Sequence, residues 1–293
     1  MATLGSLDRK LRVGEELHSV VGTMKGLAAV AIHDYERAMA ALREYTSSVE
    51  RGLQIVLFDR PESVPEDLPD RGRVAMIVIG TDQGLCGPIN REIAATARDW
   101  GEEHRLDPDQ RLVVALGVRA ARELELLGMP PSEHEDLPGS VDGISRVVDD
   151  LILRIDRWRT AGDVDRVLVF FQHPLQRTRR TPRMFQVLPP DANRLRRIAG
   201  RPWPTRMLPA FPHDRAELLS ALLREDLFVA LYRAVAEAKT AEHGARLSAM
   251  QAAEQNIEDR IADLRVAYHQ LRQAKITEEI LDVVSGFEAF EDS

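Results

Sequence analysis

The stretch Leu247-Ser-Ala-Met-Gln-Ala-Ala-Glu-Gln-Asn-Ile-Glu-Asp-Arg-Ile-Ala-Asp-Leu264 decides the predicted fold, because its apolar residues recur at intervals of three and four. The spacing continues to Tyr268 and Leu271, and Glu254 is the polar occupant of the series. A helix with this spacing keeps one stripe facing a partner helix over many turns. The pattern therefore predicts a coiled-coil helix, which extends from about residue 214 almost to the end of the chain.

The other end of the chain carries a matching pattern. Residues 4–57 lack proline, and their apolar or small residues alternate at intervals of four and three: Met24, Ala28, Ala31, Tyr35, Ala38, Leu42, Tyr45 and Val49. At 1.5 Å per residue the two helices would be about 80 and 110 Å long, too long for a compact globule. We therefore predict that they bury their stripes against each other as an antiparallel coiled coil, a rod joined to a compact knob.

The middle of the chain changes period. Short continuous apolar runs alternate there with helical stretches: the runs are 74–80, 112–117 and 167–171, and the helical stretches are 89–100, 119–127 and 144–158. This alternation predicts βαβ units in a small, mostly parallel sheet with helices on its faces, closed by a further strand near 184–188. The predicted fold class is thus α/β, with a long antiparallel coiled coil and a small Rossmann-like central domain.

Two proline-rich stretches separate these parts. The predicted organisation is an N-terminal helix at 1–58, a linker at 59–72, the central α/β domain at 73–190, a second linker at 191–213 and the C-terminal helix at 214–293.

Composition excludes several classes of protein. The 39 Lys and Arg against 47 Asp and Glu give a net charge of −8, which argues against nucleic-acid binding and against a polybasic membrane anchor. The single cysteine, Cys86, excludes an intramolecular disulfide and a four-cysteine zinc site. No uninterrupted apolar stretch of about 18 residues occurs, so a role at a membrane would require a partner.

Catalytic motifs are missing from the sequence. The turn Gly80-Thr-Asp-Gln-Gly-Leu-Cys-Gly87 lacks the lysine and hydroxyl of a P-loop, and no HExxH, GxSxG or CxxC occurs. His134 is flanked by carboxylates, but we interpret it as part of a solvated acidic loop. The basic segment at 177–183 is interpreted as a solvated turn or a surface for an acidic protein partner. We therefore predict no catalytic, cofactor-binding or metal-binding residue.

Three stretches carry a resemblance to a known family. The segments 243–256 and 271–286 resemble the C-terminal helix of the gamma subunit of F-type ATP synthases, with its R-Q-A-x-I-T-x-E motif. The segment 81–90 is similar to the family's D-R-G-L-C-G-G-x-N loop, and 24–29 to its A-M-K-M-V-A-A stretch.

The resemblance implies a non-catalytic rotor, the central stalk of a rotary ATP synthase. In that family the coiled coil turns inside a ring of three alpha and three beta subunits, and the knob rests with the epsilon subunit on the c-subunit ring. Nucleotides and catalytic residues belong to the alpha and beta subunits, so no cofactor is expected here. The implied location is peripheral, at the cytoplasmic face of a bacterial plasma membrane.

The resemblance also implies roles for individual residues. Five match family positions at the contact with beta subunits: Arg272, Gln273, Thr277, Met24 and Lys25. Four match the knob loop, which is expected to brace the coiled coil: Asp82, Gly84, Cys86 and Gly87. Arg272 and Gln273 could alternatively only solvate an exposed helix face, and Met24 could also be a seam residue.

Departures from the family pattern leave other functions open. Ser19, Gly22 and Ala31 stand where the family usually has basic residues, and Pro88 replaces a common glycine. The chain would thus be a divergent member, which is compatible with an alternative, sodium-translocating ATPase. The functional alternatives are a stand-alone coiled-coil adaptor whose knob binds an acidic partner, and an enzyme with its site in the turn 80–87.

Overall fold

The computed structural model describes residues 3–58, 72–203, 207 and 214–291. Its elements follow in chain order: α1 (Leu4–Leu57), β1 (Val74–Ile79), α2 (Ile89–Glu103), β2 (Arg111–Leu116), α3 (Val118–Leu126), β3 (Glu133–Glu135), α4 (Ile144–Ala161), β4 (Arg166–Pro174), β5 (Arg180–Leu188), α5 (Ala192–Ala199) and α6 (Arg215–Glu291). Short 3-10 turns lie at Pro108–Gln110 and Val141–Gly143. None of the helices within the described ranges is long and apolar enough to cross a bilayer.

The chain divides into two compact units. Met1–Ala28 and Leu247–Ser293 form the first, which we call the helix-pair unit. Ala29–Arg246 forms the second, which we call the α/β unit.

The helix-pair unit confirms the predicted antiparallel pairing of the two ends of the chain. Gly14 lies against the side chain of Ile261. His18 and Lys25, further along α1, contact residues progressively earlier in α6, namely Glu258 and Glu254. The seam residues of α6 follow the predicted spacing of three and four, and those most buried are Leu247, Met250, Ile261 and Leu264.

The α/β unit contains the predicted sheet. Its strand order is β3-β2-β1-β4-β5, with β1 to β4 parallel and β5 antiparallel to β4. All six residues of β1 are buried, because helices cover both faces of the sheet. Its side chains alternate between two apolar cores, one shared with α2 and α3 and the other with α4, α1 and α6.

Within the α/β unit, the buried stripe of α1 differs from the predicted one at alternate positions. Tyr35 and Val49 are buried as predicted, but Ile32 is buried where Ala31 was expected, and Tyr45 is 43% exposed. Residues 28 and 35 can be joined by an intermediate at 31 or at 32, because both choices give intervals of three and four. Ile32 is the buried one because its larger side chain removes more apolar surface from water than that of Ala31.

Two elements were missed by the sequence patterns. The predicted acidic loop around His134 contains the short edge strand β3, and Arg154 of α4 pairs with both Glu133 and Glu135. Helix α5 lies in the predicted linker at 191–213, where Asp191 caps it and Leu195 and Ile198 are buried against α1. Its apolar residues Ala192, Leu195 and Ile198 share one face, but a helix of eight residues is too short to establish a period. The predicted linker at 59–72 lies outside the described residues except for Gly72.

Candidate functional site

The loop between β1 and α2 is held by side chains at both of its ends. Asp82 accepts hydrogen bonds from the backbone N–H groups of Val118 at 2.9 Å and Leu137 at 2.8 Å, and so satisfies the N–H group of the first residue of α3. The Asn90 side chain accepts a bond from the Thr81 N–H at 2.8 Å and donates one to the Thr81 hydroxyl at 2.9 Å. The bridging role of Asn90 was missed by sequence reasoning, although the family motif ends on this residue.

Cys86 points from this loop to the C-terminal helix. Its side chain is 2% exposed and forms an apolar cluster with Ile89 and with Ala241 and Ala245 of α6. Burial raises the pKa of the Cys86 thiol, which disfavours the thiolate that a nucleophile needs. Gly87 follows at φ +66°, a left-handed conformation that glycine adopts without strain.

A buried ion cluster on α6 lies beside the same loop. The Glu242 carboxylate binds the Lys239 ammonium at 2.7 Å and the Arg246 guanidinium at 2.6 Å, and the Glu242 side chain is 2% exposed. Burial would raise the pKa of Glu242, but the two cations lower it below its ordinary value. Arg246 also reaches the carbonyl oxygen of Gly84 at 3.4 Å. The cluster therefore links α6 to the loop.

His243 lies next to this cluster, stacked on Tyr35 of α1. The ring centroids are 5.7 Å apart with an interplanar angle of 23°. Burial, reinforced by the neighbouring Lys239 and Arg246 charges, lowers the pKa of His243 to about 4, although Glu242 opposes this. The imidazole is therefore neutral at pH 7, so its Nδ1 can accept the hydrogen bond from Arg246 Nη1 at 3.2 Å. Burial raises the pKa of Tyr35 to about 12.

The basic segment 177–183 forms the turn between β4 and β5 and the start of β5. At Gly244 the backbone of α6 meets this turn so closely that a Cβ would overlap the carbonyl oxygen of Arg177. Arg180 pairs with Glu92 of α2 at 2.9 Å. The turn is thus used in part for packing within the α/β unit.

These contacts decide what the α/β unit can do chemically. Doubly wound sheets bind ligands in the crevice at the carboxyl ends of their strands, next to the loop after the first strand. In this chain Asn90 folds into that loop, and Ala241, Ala245 and Arg246 of α6 cover it. Within the described part of the chain no group of three or more His, Cys, Asp or Glu side chains could hold a metal ion. The loop is thus packed against α6.

The residues predicted to contact beta subunits all belong to the helix-pair unit. Arg272, Gln273 and Thr277 are exposed on α6, and the Thr277 hydroxyl donates a hydrogen bond to the Gln273 carbonyl at 3.0 Å. Gln273 and Thr277 are one helical turn apart and therefore share a face. No partner of the Arg272 guanidinium lies among the residues that the structure describes.

Met24 and Lys25 are half-buried on α1. The Lys25 ammonium binds both carboxylate oxygens of Glu254, at 2.7 and 2.5 Å. Sequence reasoning missed this pair, although a single acidic residue on an apolar seam indicates a cation on the facing helix.

Comparison with known proteins gives consistent matches over the whole chain. Residues 3–290 match the family model described as ATP synthase. Among curated relatives, the ATP synthase gamma chain of Zymomonas mobilis is 28% identical over 302 residues, covering 99% of this chain and 100% of that one. The ATP synthase gamma chain of Granulibacter bethesdensis is 28% identical over 306 residues, with the same coverage.

Solved structures show the same fold. The rotor of the Euglena gracilis mitochondrial ATP synthase matches with a TM-score of 0.59 and 15% identity over 93% of this chain and 98% of that one. The central stalk and c-ring structure of the Tetrahymena thermophila enzyme matches with a TM-score of 0.57 and 16% identity over 80% of this chain and 99% of that one.

Proposed function

The chain belongs to the ATP synthase gamma-chain family, and on this premise we propose that it is the rotor subunit, the central stalk, of a rotary F-type ATP synthase. Its partners are the alpha and beta subunits of the catalytic hexamer, the epsilon subunit and the c-subunit ring. Rotation of the c ring, driven by ions, turns the stalk, and the stalk changes the nucleotide affinity of each beta subunit in turn.

The family match over residues 3–290 is the observation that carries the proposal, and the geometry supports it. A rotor must be stiff, and the antiparallel pairing of α1 and α6 in the helix-pair unit supplies stiffness there. A rotor must also be asymmetric around its axis, because it can shift a partner's equilibrium only through unequal contacts with the partner's states. The side chains exposed on α1 differ from those exposed on α6, so the surface of the helix pair differs from one side to the other.

We propose that the chain is non-catalytic and needs no cofactor. In support, the crevice where a doubly wound sheet would hold a ligand is filled by Asn90 and by side chains of α6. Loop residues Asp82, Gly84, Cys86 and Gly87 then serve to brace α6. Because the c ring selects the ion, the chain is compatible with either protons or sodium ions.

The contacts with beta subunits are carried over from the family motif. Arg272 and Gln273 are proposed to hydrogen-bond to beta-subunit loops, with Thr277 beside them. The exposed guanidinium of Arg272 suits this role because its fork of donors can hold a carboxylate on a moving partner. Met24 and Lys25 are proposed to pass near the acidic lever segment of beta, while the Lys25 ammonium is paired with Glu254 of the chain itself.

We also propose that the parts of the chain divide the work. The helices at 1–58 and 214–293 form the shaft, and the domain at 73–190 rests with epsilon on the c ring. The linkers at 59–72 and 191–213 join these parts. The protein would then lie peripherally, at the cytoplasmic face of a bacterial plasma membrane, with its partners making the membrane contact.

Co-purification tests the proposal against the adaptor alternative. The full chain carrying an affinity tag is expressed together with the alpha and beta subunits encoded in the same genome. We expect ATP-hydrolysing particles with one copy of the chain per three alpha and three beta subunits. Recovery of the folded chain without alpha and beta would contradict the rotor and favour the adaptor.

A further inference from the structure

In the helix-pair unit, α1 carries two parallel stripes that lie one residue apart. On the stripe facing α6, Gly14, His18 and Lys25 contact α6, and Val21 and Ala28 continue their spacing. The stripe one residue earlier is more apolar: Val13, Leu17, Val20, Met24 and Leu27. Four of its members are between 47% and 66% exposed, and Met24 is half-buried.

This arrangement raises a question of packing. Adjacent residues of a helix are about 100° apart, so a rotation of α1 by that angle would put the more apolar stripe against α6. Both stripes have the same spacing of four and three, so both fit the seam of a coiled coil. Burial of the larger apolar side chains favours the rotated setting. Ile32 and Tyr35, which continue the other stripe along the same helix, are buried and favour the observed setting, and polar contacts within the helix-pair unit add to this preference.

The pair between Lys25 and Glu254 is the first of these polar contacts. Glu254 lies on the seam of α6 and its side chain is only 20% exposed, while Lys25 reaches both of its oxygens. In the rotated setting Met24 would face α6 in place of Lys25. A half-buried carboxylate would then lose its cation, which costs more than the same loss at an exposed site.

A second polar contact acts in the same direction. His18 Nε2 lies 3.0 Å from Glu258 Oε1, one heptad before Lys25 on the seam of α1. The rotated setting would put Leu17 in its place and break this contact as well. Polar seam residues of this kind are known to fix register in coiled coils at some cost in stability.

We propose that the Lys25–Glu254 ion pair, assisted by His18 and Glu258, holds the rotational setting of α1 on α6 in the helix-pair unit and so keeps the more apolar stripe beside the seam, where most of its side chains are exposed. Lys25 and Glu254 are in this sense positioning residues. The use of the exposed stripe rests on the proposed function, in which alpha and beta subunits surround the helices.

Cysteine labelling of the full chain tests the setting directly. Val20 and Val21 are neighbours on the two stripes, so Val20→Cys and Val21→Cys, each in a Cys86→Ala background, report the rotation through their rates of reaction with a maleimide. With the native pair we expect Cys at 20 to react faster than Cys at 21. The charge reversal Glu254→Lys should lower this ratio by about fivefold or more, the equivalent of about 1 kcal/mol.

Two further variants show whether the charges are responsible. The swap Lys25→Glu with Glu254→Lys restores an ion pair and should restore the native ratio. Asp8→Lys reverses a charge in the Asp8–Arg12 pair, which lies wholly on α1 at 2.6 Å, and should leave the ratio unchanged. An unchanged ratio in Glu254→Lys would overturn the proposal, as would a swap that fails to restore it.

If Glu254→Lys loses helix content, visible by circular dichroism, both cysteines would react fast. The measurement is then made with Glu254→Gln, which keeps the shape of the side chain and removes its charge. An unchanged ratio of the two rates in Glu254→Gln would again overturn the proposal. Labelling uses the chain without partners, whereas co-purification tests the rotor function. A negative labelling result therefore contradicts the proposed helix setting and leaves the rotor function to be judged by co-purification.

Discussion

At the scale of single residues, the neutral imidazole of His243 makes stability depend on pH. Its pKa is about 4 in the folded chain, against about 6.5 when the chain unfolds. The unfolded state therefore takes up a proton first as the pH falls. The part of the unfolding free energy that depends on this neutral imidazole is fully present above about pH 6.5 and is lost progressively as the pH falls to about 4.

The predicted change is a weaker pH dependence in His243→Gln. Between pH 7 and pH 5 the free energy of unfolding of the native chain should fall by about 2 kcal/mol because of this imidazole. His243→Gln should not show that part of the decrease. Urea unfolding at the two pH values measures the difference. His33→Gln, which replaces an exposed imidazole, is the control and should keep the full dependence. An equal change of unfolding free energy with pH in His243→Gln and in the native chain would contradict a lowered pKa of His243.

Two helical glycines should respond in opposite directions to alanine. Gly244→Ala should destabilise the chain by about 2 kcal/mol, because the added methyl group overlaps the Arg177 carbonyl and the turn must shift. Gly26→Ala should stabilise it by up to about 1 kcal/mol, because nothing lies within 4 Å of the added Cβ and alanine favours the helix. Urea unfolding followed by far-ultraviolet circular dichroism checks both. A stabilising Gly244→Ala would show that the turn does not press on α6.

Sequence patterns identify single residues only where a local rule or a family motif singles them out. Glu254 was visible as an odd polar member of an apolar series, but its partner Lys25 lies 229 positions away. The position of His243 at the start of a motif gave no sign of its burial, and Glu242 lies just before that motif. Such pairings depend on how two distant helices meet, which no local spacing encodes.

At the scale of elements, α5 fastens α1 and α6 to each other within the α/β unit. The Arg194 guanidinium holds both oxygens of Asp226 at 2.6 and 2.7 Å and reaches Glu50 at 3.3 Å. Burial would raise the pKa of Glu50, but Arg201 and Arg194 lower it below its ordinary value. One side chain of a short helix thus contacts both long helices.

Removal of this side chain should loosen the junction. Arg194→Met should cost about 2 kcal/mol of unfolding free energy, because Asp226 and Glu50 lose a cation at partly buried sites. Arg197→Met on the same helix is the matched control, since that side chain is 70% exposed, and it should change stability by less than about 0.5 kcal/mol. Chemical unfolding of the two variants gives the comparison. Similar losses in both would mean that helix content, not the ion pairs, is responsible.

Long and strongly periodic elements could be predicted, and short ones could not. The 77 residues of α6 and the 54 of α1 repeat one pattern many times, so isolated exceptions such as Glu254 do not hide it. The three residues of β3 and the eight of α5 are too few to establish a period, and their state is decided by Arg154 and by the apolar cluster under Leu195. Tertiary contacts form these elements.

At the scale of the whole molecule, the predicted parts and the two compact units are defined by different features of the chain. The predicted boundaries follow proline-rich stretches, whereas the boundaries between the two compact units fall within the long helices, near Ala28 of α1 and near Leu247 of α6. Each helix therefore takes part in two packing environments. Residues such as Tyr35 and His243 anchor the helices within the α/β unit, while Arg272 and Gln273 lie on the helix-pair unit, where the proposed contacts with beta subunits are made.

The last prediction concerns the work done by those contacts. Arg272→Ala combined with Gln273→Ala should lower coupled ATP synthesis in membrane vesicles, because hydrogen bonds that distinguish the states of a beta subunit are removed. Assembly should survive, since both side chains are exposed and their loss opens no cavity. Lys275→Ala with Glu278→Ala, which are exposed at the variable positions of the same motif, is the matched control and should retain synthesis. Unchanged synthesis in the first variant, with particles recovered at native yield, would leave Arg272 and Gln273 as solvating residues only.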